Sequence, residues 1–282
     1  MTQMPLKSYK GRLEPLSKEE SHLATRLSDH VKYLSETVGE RNLSRTGSLQ
    51  ASTDYIRGNL QQAGYVVSER TYPVSGQQVS NLEVTLTGSD SAGGDVVVGA
   101  HYDSIGGAPG ANDNASGVAA VLELARQFQG SKLQRSVRFV LFVNEEPPFF
   151  QTNNMGSLVY AKQLRRDHVS VSAMISLETI GYYSDEKGSQ KYPPSLGLFY
   201  PDRGDFIGFV GNFESRDLVR LTIRKFRESA RFPSEGIAAP ANWPGHWMVR
   251  SLVVLAGRLS GYYDYRHSTV PLSLLSHAAR YG

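Results

Sequence analysis

The stretch DVVVGAHYD, residues 95–103, decides the fold of this chain, because a short apolar run ends there in an imidazole and a carboxylate. A second run, VRFVLFV at residues 137–143, leads in the same way into two glutamates. Short apolar runs rich in valine predict buried strands of a parallel sheet. Because ligands of open α/β sheets bind outside the carboxyl ends of the strands, we expect the polar residues after both runs to meet at one edge.

These polar residues have the composition of a hydrolytic metal site. One imidazole and four carboxylates are involved: His101, Asp113, Glu145, Glu146 and, after a third apolar run, Glu178. Zinc in hydrolytic sites takes imidazole and carboxylate ligands, and a carboxylate that bridges can hold two ions. Of two adjacent glutamates, one can bind metal while the other stays free as a general base for water. Asp103, two residues after His101, can fix the tautomer of the imidazole.

Each residue also has an ordinary explanation when it is taken alone. A histidine at a strand end is typical of a surface position, and a Glu-Glu pair is typical of a solvated helix start. Asp113 lies in the Gly/Asn-rich turn GGAPGANDNASG, where Asp and Asn are typical turn residues. Their joint occurrence, in chain order at three successive strand ends, favours the metal site.

The segments that carry these residues resemble the zinc aminopeptidase family M28. They read GAHYDSIGGAPGANDNASGVAAVLELAR, RFVLFVNEEPPFFQTNNMGSLVYA and MISLETIGYYSD, and the resemblance covers roughly residues 20–245. It implies a three-layer αβα fold of the zinc-peptidase, phosphorylase/hydrolase type, with a mixed, largely parallel central sheet. It also implies a hydrolase with two Zn²⁺ ions that removes N-terminal residues from a peptide, or acts on a small-molecule amide.

The resemblance also implies a role for each site residue. Four would be metal ligands: His101 and Glu178 on one zinc, Asp113 as the bridge, and Glu146 on the second zinc. Two would be catalytic: Glu145 as the general base, and Asp103 as the residue that orients His101. The family often has aspartate where Glu178 stands. Its last ligand is a histidine near the C-terminus.

The resemblance stops after Trp243-Pro244-Gly245, where the family continues with a motif like G-W-S-D-H-W. The next residues, HWMV, must be encoded CAY-TGG-ATG-GTN, and reading them one base forward yields Ile or Thr, then Gly, then Trp. Permitted codons extend this match to S-D-H-W-S and, at residues 272–281, to the histidine motif. We therefore hypothesise that the chain is translated out of frame from about His246 onward. His267 and His277 would then not be the last ligand.

This hypothesis divides the chain into three parts. Residues 1–16 are an irregular lead-in, residues 17–245 form a single metallopeptidase domain, and residues 246–282 are a tail outside the family pattern. The C-terminal part of the fold should be incomplete, without the family's last strand and closing helix. With the last histidine missing, we expect weak binding at the second zinc site and little peptidase activity.

The remaining chain predicts a conventional α/β succession. Ser17 and Glu20 form a capping-box pattern at the start of a helix, and a second helix is expected at residues 49–63. Residues 65–72 and 81–87 are expected to form an antiparallel strand pair. A last helix, residues 213–230, should carry a solvated arginine face: Arg216, Arg220, Arg224 and Arg227.

Composition limits the classes of function. The 282 residues, 40% hydrophobic and 20% charged, suit one large α/β domain, and the absence of cysteine excludes disulfides, thiolate ligands and a cysteine nucleophile. The net charge of +3 comes from residues 246–282, which hold four arginines and one aspartate, so no basic patch indicates nucleic-acid binding. No run approaches the ~20 apolar residues of a membrane span, and the N-terminus lacks a signal-peptide pattern, so we expect a cytoplasmic protein.

Two other functions stay open at this point. A non-catalytic relic, or a binding module on the same scaffold, would bind without turning over. A single-zinc acyltransferase of the glutaminyl-cyclase type would cyclise an N-terminal glutamine instead of hydrolysing a peptide bond. The sequence indicates neither the preferred substrate nor the oligomeric state.

Overall fold

The computed structural model of the chain describes residues 3–90, 92–192 and 196–239, and the backbone of residues 252–256. The rest of the tail, with His267 and His277, lies outside the described residues. The described helices are α1 (Lys18–Lys32), α2 (Thr46–Gln62), α3 (Ser116–Phe128), α4 (Gly156–Arg166) and α5 (Arg216–Ser229). The strands are β1 (Ser68–Val74), β2 (Gln77–Leu86), β3 (Asp95–His101), β4 (Val137–Phe142), β5 (Val171–Glu178), β6 (Ile207–Asn212), β7 (Ser234–Ala239) and β8 (Leu252–Ala256).

The eight described strands form one mixed sheet in the order β1-β2-β4-β3-β5-β8-β6-β7. The pairs β3/β4, β3/β5, β6/β7 and β6/β8 are parallel. The pairs β1/β2, β2/β4 and β5/β8 are antiparallel. The prediction of a mixed, largely parallel sheet is confirmed, and so is the antiparallel pairing of the first two strands.

Strand register brings the site residues to one edge of the sheet. His101 lies opposite Phe142 in the β3/β4 pair, so that Glu145 follows just beyond the same edge. Gly99 lies opposite Ser176 in the β3/β5 pair, which brings the end of β5 to that edge as well. The three apolar runs of the sequence therefore end side by side, as the sequence predicts.

Helices cover both faces of the sheet. Neighbouring residues of a strand point to opposite faces, and Val97 and Val140 pack with Tyr160 of α4, in a cluster separate from that of the adjacent Val98 and Phe139. The second, larger cluster also holds buried side chains from α1, α2, α3 and α5. This is the three-layer arrangement that the sequence predicts. Among the described residues, no helix has the length and apolar character that crossing a membrane requires.

The first helix begins where the sequence predicts. The hydroxyl of Ser17 accepts a hydrogen bond from the Glu20 amide at 3.2 Å, and the Glu20 carboxylate accepts one from the Ser17 amide at 2.7 Å. Such a capping box satisfies two amides that have no partner within the helix. After α1 the chain continues into a π-helical turn, Tyr33–Val38, which leads towards the site.

Residues 3–10, which are part of the lead-in, pack against α5 and β7, at the sheet edge far from β1. Arg227 of α5 donates to the carbonyls of Pro5 at 3.1 Å and Leu6 at 2.9 Å. Ser234 of β7 donates its amide to the Ser8 hydroxyl at 2.9 Å. The prediction of a solvated arginine face is therefore wrong for Arg227, whose side chain is 5% exposed, because the lead-in covers it.

The strands after residue 200 differ most from expectation. The sequence pattern did not predict β6 (IGFVGN) or β7 (SEGIAA), where glycines interrupt the apolar residues. It also predicted that the last strand of the sheet is lost, and this is wrong: Leu252–Ala256 forms β8, between β5 and β6. Valine is among the residues with a high strand propensity, which is consistent with a strand at this position.

Candidate metal centre

Five predicted site residues converge at the edge where β3, β4 and β5 end. Candidate ligand atoms of His101, Asp113 and Glu178 lie within 4.8 Å of one another, and the same holds for His101, Glu145 and Glu146. His101 belongs to both groups. It lies at the centre of the cluster, because its Nε2 is 3.0 Å from Asp113, 3.3 Å from Glu178 and 3.7 Å from Glu145.

His101 is buried, and its two ring nitrogens face different partners. Nδ1 lies 3.2 Å from the carbonyl oxygen of Asp103 and 3.4 Å from its carboxylate. Nε2 faces the other carboxylates of the cluster. A proton on Nδ1 would be shared with Asp103 and would leave the lone pair of Nε2 for a metal.

Asp103 contacts His101 at the end of β3 and also the backbone that follows β4. Its two carboxylate oxygens accept the backbone amides of Glu145 at 3.1 Å and Glu146 at 3.0 Å. The residue before them, Asn144, has a left-handed backbone with φ 59°, which turns the chain away from β4. The sequence indicates Asp103 only through its spacing from His101. It does not predict this second contact, which links the end of β3 to both glutamates.

Glu178 is held by two residues that sequence analysis did not single out. Asn114 donates its side-chain amide to Glu178 Oε2 at 2.7 Å and to the carbonyl of Leu177 at 2.8 Å. Ser176 donates its hydroxyl to Glu178 Oε1 at 2.8 Å. Only their positions in the sequence could have indicated these two residues. Asn114 follows Asp113 directly, and Ser176 lies on the same face of β5 as Glu178 because strand side chains alternate.

The electrostatics of the cluster are those of a site built for a cation. Burial, with repulsion from neighbouring carboxylates, raises the pKa of Glu145 to about 8 and that of Glu146 to about 7. Burial opposes protonation of His101, yet attraction by Glu178 and the other carboxylates raises its pKa well above the usual value. A divalent cation among one imidazole and four carboxylates would relieve this repulsion, so the donor set fits zinc.

The cluster contains one histidine as far as the structure describes the chain. The two groups of candidate ligands among the described residues share His101 and otherwise hold only carboxylates. The histidine expected near the C-terminus falls in the tail, outside the described residues.

Comparison with known proteins identifies relatives of this chain. The family model for peptidase family M28 matches residues 81–199. The uncharacterized protein YfbL of Escherichia coli is 40% identical over 228 residues, which are 78% of this chain and 69% of that protein. Aminopeptidase YwaD of Bacillus subtilis is 36% identical over 101 residues, 36% of this chain and 21% of that protein.

Solved structures show the same fold at low sequence identity. A zinc aminopeptidase from Bacillus subtilis superposes with a TM-score of 0.58 at 14% identity, covering 95% of both chains. A glutaminyl cyclase from Bacteroides thetaiotaomicron reaches 0.58 at 13% identity, covering 94% of this chain and 97% of that one. At these identities the two structures support the fold and leave the reaction open.

Proposed function

This chain belongs to peptidase family M28, and from that membership we propose that it is a zinc-dependent exopeptidase of the aminopeptidase type. The observation that carries the proposal is the convergence of His101 with four carboxylates at the edge of the sheet. The relative YwaD is named an aminopeptidase, and a zinc aminopeptidase shares the fold.

The proposed ligand assignment takes the first group of side chains whole and only Glu146 from the second group. His101, Asp113 and Glu178 would hold the first zinc, and Asp113 and Glu146 would contribute to a second site. When bound, zinc polarises the scissile carbonyl and makes water more acidic. The second site would have two carboxylates and no histidine among these residues. We therefore propose that the first site binds zinc more tightly than the second.

Glu145 is the residue we propose as general base. Its side chain is 29% exposed, so it can reach substrate and water. Burial in the metal-free site raises its pKa to about 8, and a cation beside it would lower that pKa, so that the carboxylate could take a proton from the attacking water and return it to the leaving amine. Asp103 fixes the Glu145 backbone through the amide hydrogen bond at 3.1 Å, so the base stays beside the metal ligands.

The test is hydrolysis of aminoacyl chromogenic amides by the zinc-loaded protein, with N-acetylated versions of the same amides as the control. We expect release of the chromophore only from substrates with a free α-amine, loss of activity on chelation, and recovery with added zinc. Equal cleavage of both substrates would contradict an aminopeptidase. A zinc-loaded protein that cleaves neither substrate would favour the binding module.

A glutaminyl cyclase is the second candidate, favoured by the shared fold and by a first zinc group that is complete with one histidine and two carboxylates. A peptide with N-terminal glutamine separates the two reactions. Cyclisation would release ammonia and keep the peptide whole, whereas hydrolysis would release free glutamine.

A further inference from the structure

Arg41 is a buried cation next to the metal centre that the proposed reaction does not use. The residue is 0% exposed, and within the described parts of the chain it belongs to none of the ion pairs. Buried arginines are rare unless their charge is paired. An arginine in this setting requires an explanation from its contacts.

The guanidinium of Arg41 joins three separate segments through main-chain carbonyls. It donates to Leu34 in the π-helical turn at 2.9 Å and to Gly39 directly after that turn at 2.8 Å. It also donates to Tyr102 at 2.9 Å, to Pro109 at 2.5 Å and to Gly110 at 3.0 Å. Arginine presents its donors in a rigid planar fork, and no other side chain could hold these carbonyls together in the same way.

The backbone of Arg41 is tied to the same loop. Its amide donates to the hydroxyl of Ser104 at 3.0 Å, and its carbonyl accepts the Ser104 amide at 2.7 Å. The Ser104 hydroxyl in turn donates to the carbonyl of Ala108 at 2.9 Å. Side chain and backbone together therefore hold residues 102–110 against the turn that follows α1.

The position of these contacts relates them to the metal centre. Tyr102 directly follows the proposed ligand His101, and Gly110 lies three residues before the proposed ligand Asp113. Arg41 thus contacts both ends of the segment that connects two ligands. Burial lowers its pKa to about 10, while Asp103 and Asp113 oppose this shift, so the guanidinium stays charged at neutral pH.

We propose that Arg41 is a positioning residue of the metal centre, which fixes the loop of residues 102–112 and thereby the geometry of His101 and Asp113. This inference deepens the proposed function and rests on it for the zinc measurement. The loop measurement is independent of zinc.

The experiment compares R41K with R227K. Lysine keeps the charge and loses the fork. Arg227 is a matched control because its side chain is also buried and also donates to main-chain carbonyls, those of Pro5, Leu6 and Ser234, on α5 near the far edge of the sheet. Zinc affinity is measured by competition with a chromogenic chelator, and amide hydrogen exchange of residues 102–112 is measured on the zinc-free proteins.

We expect R41K to exchange faster at residues 102–112 and to bind zinc about 10–100-fold more weakly, the usual cost of losing a group that supports metal ligands. R227K should keep the loop exchange and the zinc affinity of the parent while losing stability. Unchanged loop exchange in R41K would overturn the inference, as would parental zinc affinity. A parent protein that binds no zinc would contradict the proposed function, and loop exchange would still decide the role of Arg41.

A second pair of variants disturbs the loop at the place where Arg41 and Ser104 contact it, and is used if R41K does not fold. Gly110 has φ +61°, and a Cβ there would lie 2.8 Å from Arg41 Nη2 and 2.5 Å from the Asp113 carbonyl. Gly107 in the same loop has φ +84° and nothing within 4 Å of such a Cβ. Both alanine variants carry the strain of a positive φ, but only the new Cβ at position 110 also clashes with neighbouring atoms. We therefore expect G110A to lose zinc affinity and G107A to keep it. Equal affinities would refute the inference.

Discussion

At the scale of single residues, the carboxylates of the candidate site have two different tasks. Some are candidate metal ligands, whereas Asp103 accepts hydrogen bonds from backbone amides. Asp103 contacts the ring of His101 and accepts the amides of Glu145 and Glu146. Hydrogen bonds from backbone amides to a charged acceptor are among the stronger ones in proteins. One buried side chain therefore aligns the ends of two neighbouring strands.

The E145Q variant tests the general base. Glutamine keeps the size of the side chain and cannot accept a proton, so we expect turnover to fall by about 10²–10⁴-fold while zinc content stays that of the parent. Zinc is measured by elemental analysis after gel filtration. The control is D217N, at a side chain on α5 that is 72% exposed. A near-parental rate in E145Q would remove Glu145 from the mechanism.

The raised pKa of Glu145 predicts how the zinc-free protein responds to pH. Its folded pKa is about 8 against an ordinary value of 4.5, so between these values the unfolded state is ionised while the folded state retains the proton. Stability contributed by the neutral form is full below 4.5 and is lost as pH rises to about 8. We expect E145Q to become progressively more stable than the parent from pH 5 to pH 8 in urea melts with EDTA present. A stability difference that does not change with pH would contradict the shift.

At the scale of elements, the lead-in explains why α5 carries a buried arginine. Sequence periodicity places Leu218 and Phe226 on the apolar face of α5, and both are buried. It places Arg227 on the opposite face, which the lead-in covers from more than 200 residues away in sequence. Helical periodicity predicts which residues face the sheet, and it contains no information on what packs against the other face.

Removal of residues 1–8 tests how much the contacts of the lead-in with α5 contribute to stability. It would take away the carbonyls of Pro5 and Leu6, and leaving a buried donor without its partner costs about 1–3 kcal/mol. We expect a loss of that size in the free energy of unfolding, measured with urea, and no change in zinc affinity. The exposed Lys7 supplies the control, K7A, which should unfold like the parent. A truncated protein of parental stability would show that these contacts are dispensable.

At the scale of the whole molecule, the tail takes part in the sheet. β8 pairs with β5 on one side and β6 on the other, so it connects the sheet region that carries the candidate metal centre with the region of β6 and β7. The division of the chain at residues 16 and 245, and the hypothesis of an out-of-frame tail, remain predictions.

Sequencing the DNA across the codons for residues 242–249 tests the hypothesis that the tail is translated out of frame. We expect a single-base correction that restores the reading G-W-S-D-H-W after Gly245, since Gly-Trp is forced in the shifted frame by the codons of Trp247, Met248 and Val249. The same sequence in an independent isolate, without the correction, would exclude a sequencing error. The protein would then carry this tail in place of the family's C-terminal motif, and we would expect little or no peptidase activity.

The number of zinc ions that the protein binds tests what the altered tail means for the proposed second zinc site. The chain as it stands should bind one zinc tightly and a second weakly, because the proposed second site draws on Asp113 and Glu146 and gains no further histidine from the residues that the structure describes. A variant whose residues from 246 onward follow the shifted frame should bind two ions tightly. Native mass spectrometry at graded zinc concentrations distinguishes these cases, and two equally tight ions in the unaltered chain would contradict the assignment.

The sequence by itself determined the sheet class, the edge that holds the site and its side chains, because apolar strand runs and the residues that end them are adjacent in the chain. His101, Glu145 and Glu178 were found in this way. Only the tertiary structure decided the contacts of Asn114, Arg41 and the lead-in, and the place of β8. These depend on hydrogen bonds and pairings between segments far apart in sequence, which no local pattern records, because a buried polar group can be satisfied by any carbonyl that the fold brings within reach.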